Sequence, residues 1–160
     1  MHIAYLSLGS NLGDRTANLQ NCIDRLNGIG NVSRVSSFYE TEPMELREQP
    51  WFLNCVVEVK TNLSPGDLLF AIERIEAQLG RRRDMAKGPR TIDIDILLYG
   101  RAVVRTATLE IPHTRMADRR FVLAPMADLA PDLRHPLTGR SMREMLEAAP
   151  PETLRLVNTP

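Results

Sequence analysis

Cysteine is scarce in this chain: two residues in 160, Cys22 and Cys55, each inside an apolar-patterned segment. That excludes a disulfide-stapled scaffold and favours buried free thiols in a reducing compartment. Three scattered histidines and two distant cysteines offer no zinc-ligand spacing. No run approaches the ~18 apolar residues of a membrane span. The N-terminal Met1-His2-Ile3-Ala4-Tyr5 lacks the basic start and apolar stretch of a secretory signal. A cytoplasmic location and no membrane partner are therefore expected. Charge of one sign is also missing: Lys plus Arg (20) balances Asp plus Glu (20). With no global field to attract nucleic acid, none is expected as partner, and any polyanion site must be local. Aromatics are only 5%, so the core must be aliphatic and a displayed Phe is informative.

What is present favours one domain over 1–160, with 43% hydrophobic residues and room for a full core. Residues 2–8 read as a strand. Gly9-Ser10-Asn11-Leu12-Gly13-Asp14 reads as a turn, with Asp14 able to cap a helix carrying Leu19, Cys22, Ile23, Leu26 and Ile29 at helical spacing. Residues 31–40 read as a second strand and Phe52 to Val59 as a third. In the latter, Phe52, Asn54, Val56 and Glu58 share one face, and Leu53, Cys55, Val57 and Val59 the other. Ser64-Pro65 opens a second helix with the stripe Leu68, Leu69, Ile72, Ile75, Leu79, and Gly80 stands at its end. A strand through Asp93 and Asp95 follows. The order β-α-β-β-α-β predicts an α+β ferredoxin-like sandwich, with both helices on one face of an antiparallel sheet and the opposite face free for a site. Beyond Gly100 the pattern loosens into an irregular C-terminal extension, with short strands in 102–111 and helices in 116–129 and 141–148.

The chemistry concentrates in Gly88-Pro89-Arg90-Thr91-Ile92-Asp93-Ile94-Asp95-Ile96-Leu97-Leu98-Tyr99-Gly100. Alternation puts Asp93 and Asp95 on one face, roughly 6.5 to 7 Å apart along the backbone. Ile92, Ile94 and Ile96 take the other. Taken alone, the pair reads equally as two solvated aspartates or as ligands of a divalent metal, which would relieve their repulsion. Arg81, Arg82, Arg83, Lys87 and Arg90 lie just upstream, and cations beside such carboxylates suit a nucleoside triphosphate on Mg²⁺. His113, with Arg115, Arg119 and Arg120 after it, could donate to phosphate oxygens. Asn54 beside Phe52 could read the edge and face of a flat heterocycle, with Phe121 a second aromatic. Three functions fit these residues: a Mg²⁺-dependent enzyme acting on a nucleoside triphosphate, a metal-dependent nuclease or nucleotidyl-transfer enzyme, and a non-catalytic module binding a nucleotide or another flat heterocycle.

Seven segments narrow the choice. They are Gly9 to Asp14, Ser36 to Pro43, Gln49 to Asn54, Gly80-Arg81, Gly88 to Asp95, Ile111-Pro112-His113, and Arg119 to Pro125. In this order they closely resemble the hydroxymethyl-dihydropterin pyrophosphokinase family of folate biosynthesis. The resemblance implies transfer of diphosphate from ATP to a hydroxymethyl-dihydropterin, giving AMP, with two Mg²⁺ ions. It implies Asp93 and Asp95 as metal ligands, and Arg81 and Arg90 as catalytic cations. It implies Glu73, Glu76, Arg83, Ile96, His113 and Arg119 at ATP, and Thr41, Pro43, Met44, Phe52, Asn54 and Phe121 at the pterin. Lys87 stands where many members have Trp. ATP and the pterin are the expected partners, and a monomer is expected.

Overall fold

A computed structural model describes residues 1–42, 50–80 and 91–157. The strands are β1 (His2–Ser10), β2 (Asn31–Val35), β3 (Phe38–Thr41), β4 (Phe52–Thr61), β5 (Asp93–Tyr99), β6 (Val104–Arg105), β7 (Glu110–Ile111) and β8 (Leu154–Val157). The helices are α1 (Arg15–Leu26), α2 (Pro65–Gln78), α3 (Arg120–Leu129) and α4 (Met142–Ala148). The main sheet runs β5-β1-β4-β3-β8, with β2 also on β4 and every pair antiparallel. Treating β2 and β3 as one interrupted strand, this is the ferredoxin-like order with β8 added at one edge. Residues β6 and β7 form a separate hairpin.

The expected start and stop signals hold. Asp14 accepts from the Ala17 N–H at 3.1 Å and Ser64 from the Asp67 N–H at 3.2 Å. Gly80 takes φ +90° at the end of α2, where a side chain would be strained. Leu19, Cys22 and Leu26 of α1 and Leu68, Ile72 and Ile75 of α2 are buried against Leu53, Cys55, Val57, Val59 and Ile92, Ile94, Ile96. Both cysteines are buried free thiols; burial pushes Cys22 up to about 12, so it is inert as a nucleophile.

Four expectations need correction. First, β1 continues through Gly9 and Ser10, which pair with β4, so the turn begins later. Second, the 31–40 strand is two strands. The break lies at Ser36, whose Oγ accepts from the Val56 N–H at 2.9 Å, replacing a main-chain partner in the ladder. Third, the far face of the sheet is not free. Tyr5, Val56, Leu97 and Leu98 are buried there against Val122, Leu123 and Met126 of α3 and Met142 and Met145 of α4. A register shift between Tyr5 and Leu6 leaves Leu97 as an extra residue in β5. Strict alternation fails there, so both Leu97 and Leu98 enter this second core. Fourth, the 116–129 helix is divided, into a 3₁₀ turn (Met116–Asp118) and α3. Asp93 and Asp95, at the start of β5 on the far face, stay half-exposed.

Candidate active site

Register places the site residues in rows across the sheet. Gly9 pairs with Asn54 on one side and Asp93 on the other; Ser7 pairs with Val56 and Asp95. Directly paired residues share a face, so the two aspartates, Asn54 and Phe52 look the same way. Gly9, between Asp93 and Asn54 in its row, has no side chain, and the Asn54 and Phe52 side chains close over it. A Cβ there would lie 2.8 Å from Asn54 Oδ1 and 3.5 Å from Phe52 Cδ1. The strand-interior glycine is the sequence signal for this close approach. Its role was not legible beforehand because the segment reads as a turn.

Asn54 lies on a central strand, not at an edge. It is 3% exposed, as is Thr41, and its Nδ2 donates to Thr41 Oγ1 at 2.8 Å. That bond fixes the amide orientation and leaves Oδ1 facing Gly9. Phe52 is half-buried on the same face. Asn11 Nδ2 donates to the Pro50 carbonyl at 3.2 Å and Arg15 to the Trp51 carbonyl at 2.9 Å. These contacts anchor the chain entering β4. The sequence reading gives neither Asn11 nor Arg15 a role, although Asn11 stands in the Gly9 to Asp14 segment; in the structure Asn11 is 1% exposed.

At the aspartate end, His113 Nε2 lies 3.9 Å from Asp95 Oδ1 and Arg119 Nη1 lies 4.0 Å from Asp95 Oδ2. Arg119 also stacks on Phe121, 5.6 Å from the ring centroid. The His113 main-chain N–H donates to the Leu97 carbonyl at 2.9 Å, tying this segment to the outer edge of β5. Its Nδ1 accepts from the Arg115 N–H at 3.1 Å, so the ring proton sits on Nε2, toward Asp95. Burial first, then the Arg119 and Arg115 charges, hold the His113 pKa below the usual imidazole range, against the pull of Asp93 and Glu110. His113 is thus a neutral N–H donor at pH 7.

Along the same outer edge of β5, a cavity of about 300 Å³ is lined by Leu69, Ile94 to Ile96, residues 106–110, His113 and Thr114. Glu76 is 3% exposed, and its Oε2 accepts from the Ile94 N–H at 2.9 Å. The carboxylate therefore secures the edge strand between the two aspartates. Glu73 lies one helical turn earlier on α2 and is half-buried. The expected roles of Arg81, Arg83, Arg90, Pro43, Met44 and Lys87 lie outside the described residues.

The donor set suits Mg²⁺. Two carboxylates share one open face, with the Asp95 side chain 39% exposed. No cluster of three or more His, Cys, Asp or Glu forms among the described residues. Mg²⁺ usually takes one or two carboxylates and completes its shell with phosphates and water.

The model of the 7,8-dihydro-6-hydroxymethylpterin-pyrophosphokinase (HPPK) family matches residues 5–131. The chain is 45% identical over 140 residues to the 2-amino-4-hydroxy-6-hydroxymethyldihydropteridine pyrophosphokinase of Bacillus subtilis, covering 86% of this chain and 84% of that protein. It is 43% identical over 159 residues to the folic acid synthesis protein fol1 of Schizosaccharomyces pombe, covering 98% of this chain but only 22% of the longer protein. The crystal structure of Plasmodium falciparum HPPK-DHPS with pteroate superposes with a TM-score of 0.73 over 92% of this chain and 42% of that one. At 18% identity that likeness bears on the fold alone. The family match, the identity to the bacterial pyrophosphokinase and the shared architecture place this chain in the HPPK family.

Proposed function

We propose that this chain transfers the β,γ-diphosphate of ATP to the hydroxymethyl group of 6-hydroxymethyl-7,8-dihydropterin. The pterin oxygen bonds to the β-phosphorus, the bond from that phosphorus to the α,β-bridging oxygen breaks, AMP leaves with that oxygen, and the alcohol proton is released. The observation that carries the reading is the row Asn54–Gly9–Asp93 across three strands. The Asn54 amide and the Asp93 carboxylate share one face of the sheet, and Gly9 between them lets the Asn54 side chain close over β1, which supports an amide for the heterocycle beside a carboxylate for the phosphates.

In this reading Asn54 and Thr41 recognise the pterin edge. Phe52 and Phe121 hold its ring, with the chain around Pro43 and Met44. Asp93 and Asp95 hold two Mg²⁺ ions, which, when bound, supply the positive charge that activates a weak alcohol nucleophile and offsets phosphate charge. His113 Nε2–H and Arg119 donate to phosphate oxygens, as does Arg83, while Arg81 and Arg90 stabilise charge on the transferred group. The cavity beside Ile96 takes the nucleoside, near Glu73, and Glu76 keeps that strand in place. In the same reading the chain is a single domain that acts as a monomer in the cytoplasm. No helix among the described residues is long and apolar enough to cross a membrane.

The test is product identity. Incubation with ATP, Mg²⁺ and the pterin should give AMP and pterin diphosphate in equal amounts. ADP as the nucleotide product, or AMP formed at the same rate without pterin, contradicts the assignment.

A further inference from the structure

The C-terminal segment after residue 148 lies beyond residues 5–131, over which the family model matches, yet it reaches the active-site end of α3. Helix α3 starts without a cap of its own. Its N-cap position is Arg119, which makes no side-chain cap bond. Arginine is a poor choice there, because a helix N-terminus carries partial positive charge and exposed N–H donors. The position is given over to a guanidinium that faces Asp95.

Glu152 supplies what Arg119 does not. Its Oε1 accepts from the Phe121 N–H at 3.0 Å, the bond that a capping Ser or Asp at 119 would have made. Its Oε2 and Nε of Arg119 are both buried without a hydrogen-bond partner among the described residues. Burial holds the Glu152 carboxyl above the usual carboxylate range, and the Phe121 N–H and the Arg119 and Arg120 charges offset this only in part. The carboxylate is thus electrostatically engaged with the first residues of α3.

The segment carrying Glu152 is secured on both sides. Arg120 donates to the Ala149 carbonyl at 3.0 Å and the Pro150 carbonyl at 3.3 Å. Two residues on, β8 pairs with β3, with Leu154 opposite Thr41. Arg155 adds an ion pair with Glu40 at 3.4 Å and lies 4.0 Å from the Trp51 ring centroid. One strap therefore touches both α3, which bears Arg119 and Phe121, and β3, which bears Thr41.

We propose that Glu152 is a positioning residue of the transfer reaction: from the C-terminal strap it caps α3, fixing Phe121 for the pterin and balancing Arg119 for ATP. The inference rests on the proposed function, and AMP formation by the parent protein tests that reading separately. Removing a cap of this kind corresponds to about fivefold in an equilibrium constant, so Glu152→Ala should raise KM for pterin and for ATP by about fivefold each, with kcat nearly unchanged. Glu152→Gln keeps an oxygen for the Phe121 N–H but removes the charge. It should return the pterin KM to within about twofold of the parent while the ATP KM stays about fivefold high. Both variants are assayed well below their melting temperatures. If Glu152→Ala leaves both KM values unchanged, even with a lowered melting temperature, the role is structural only and the proposal is overturned. A Gln variant with parental ATP KM also overturns it. Should the Ala variant not fold, the Gln variant decides by the same criterion.

Discussion

Asn54 and Thr41, on neighbouring strands, form a buried amide–hydroxyl pair at 2.8 Å on the face that carries the aspartates. Because the bond orients the amide, either partner's loss should register in pterin recognition. Asn54→Ala is expected to raise the pterin KM on the order of tenfold or more, with the ATP KM within about twofold. Thr41→Val should give a smaller pterin effect and lower stability by about 1–3 kcal/mol, since it leaves a buried N–H₂ short of an acceptor. Steady-state kinetics with each substrate varied, alongside urea unfolding, check both. Equal losses for pterin and ATP would contradict the role of the amide.

Gly9→Ala tests the close approach of Asn54 to β1 within that row. The added methyl would stand 2.8 Å from Asn54 Oδ1, closer than Cβ atoms pack. Asn54 cannot give way cheaply because Thr41 holds it. We expect a stability loss of about 1–3 kcal/mol and a pterin KM raised on the order of tenfold. Parental pterin KM in the Ala variant would show that this close approach plays no part in binding.

The sequence revealed much of this arrangement, and the exceptions have physical causes. Asp93 and Asp95 were legible because β5 alternates cleanly as far as Ile96. The failure of alternation at Leu97–Leu98 was not, because a register shift depends on the partner strand. Both long helices were legible from their stripes and from Asp14, Ser64 and Gly80, which act locally. The interruption at Ser36 was hidden because a hydroxyl replaces a main-chain acceptor only once β4 lies beside it. The cover provided by α3 and α4, and the strand β8, depend on long-range contacts that periodicity does not carry. Gly9 was misread because a glycine near Asn11 and Gly13 carries the signature of a turn.

Glu58 gives a pH dependence of stability that is independent of the site. Burial pushes its carboxyl up, but hydrogen bonds from Tyr5 and Ser33 and the Arg34 charge outweigh this and hold it below the usual glutamate range. The Tyr5 hydroxyl donates to Glu58 at 2.6 Å and is itself pushed up to about 12 by burial and by Glu58. A depressed carboxyl stabilises the fold above its unfolded pKa, and that contribution is lost as pH falls through the folded value. Tyr5→Phe should therefore cost about 1.5–3 kcal/mol at neutral pH and clearly less near pH 3. Urea unfolding of parent and variant at both pH values measures it. A gap that stays constant with pH would contradict the linkage.

The most direct test of the central claim is turnover by Asp93→Ala and Asp95→Ala, with circular dichroism confirming that each stays folded. If the two carboxylates organise the metal-bound triphosphate, each variant should form AMP at least on the order of a hundredfold more slowly than the parent at saturating ATP, Mg²⁺ and pterin. A folded variant that still makes AMP at a near-parental rate would contradict it.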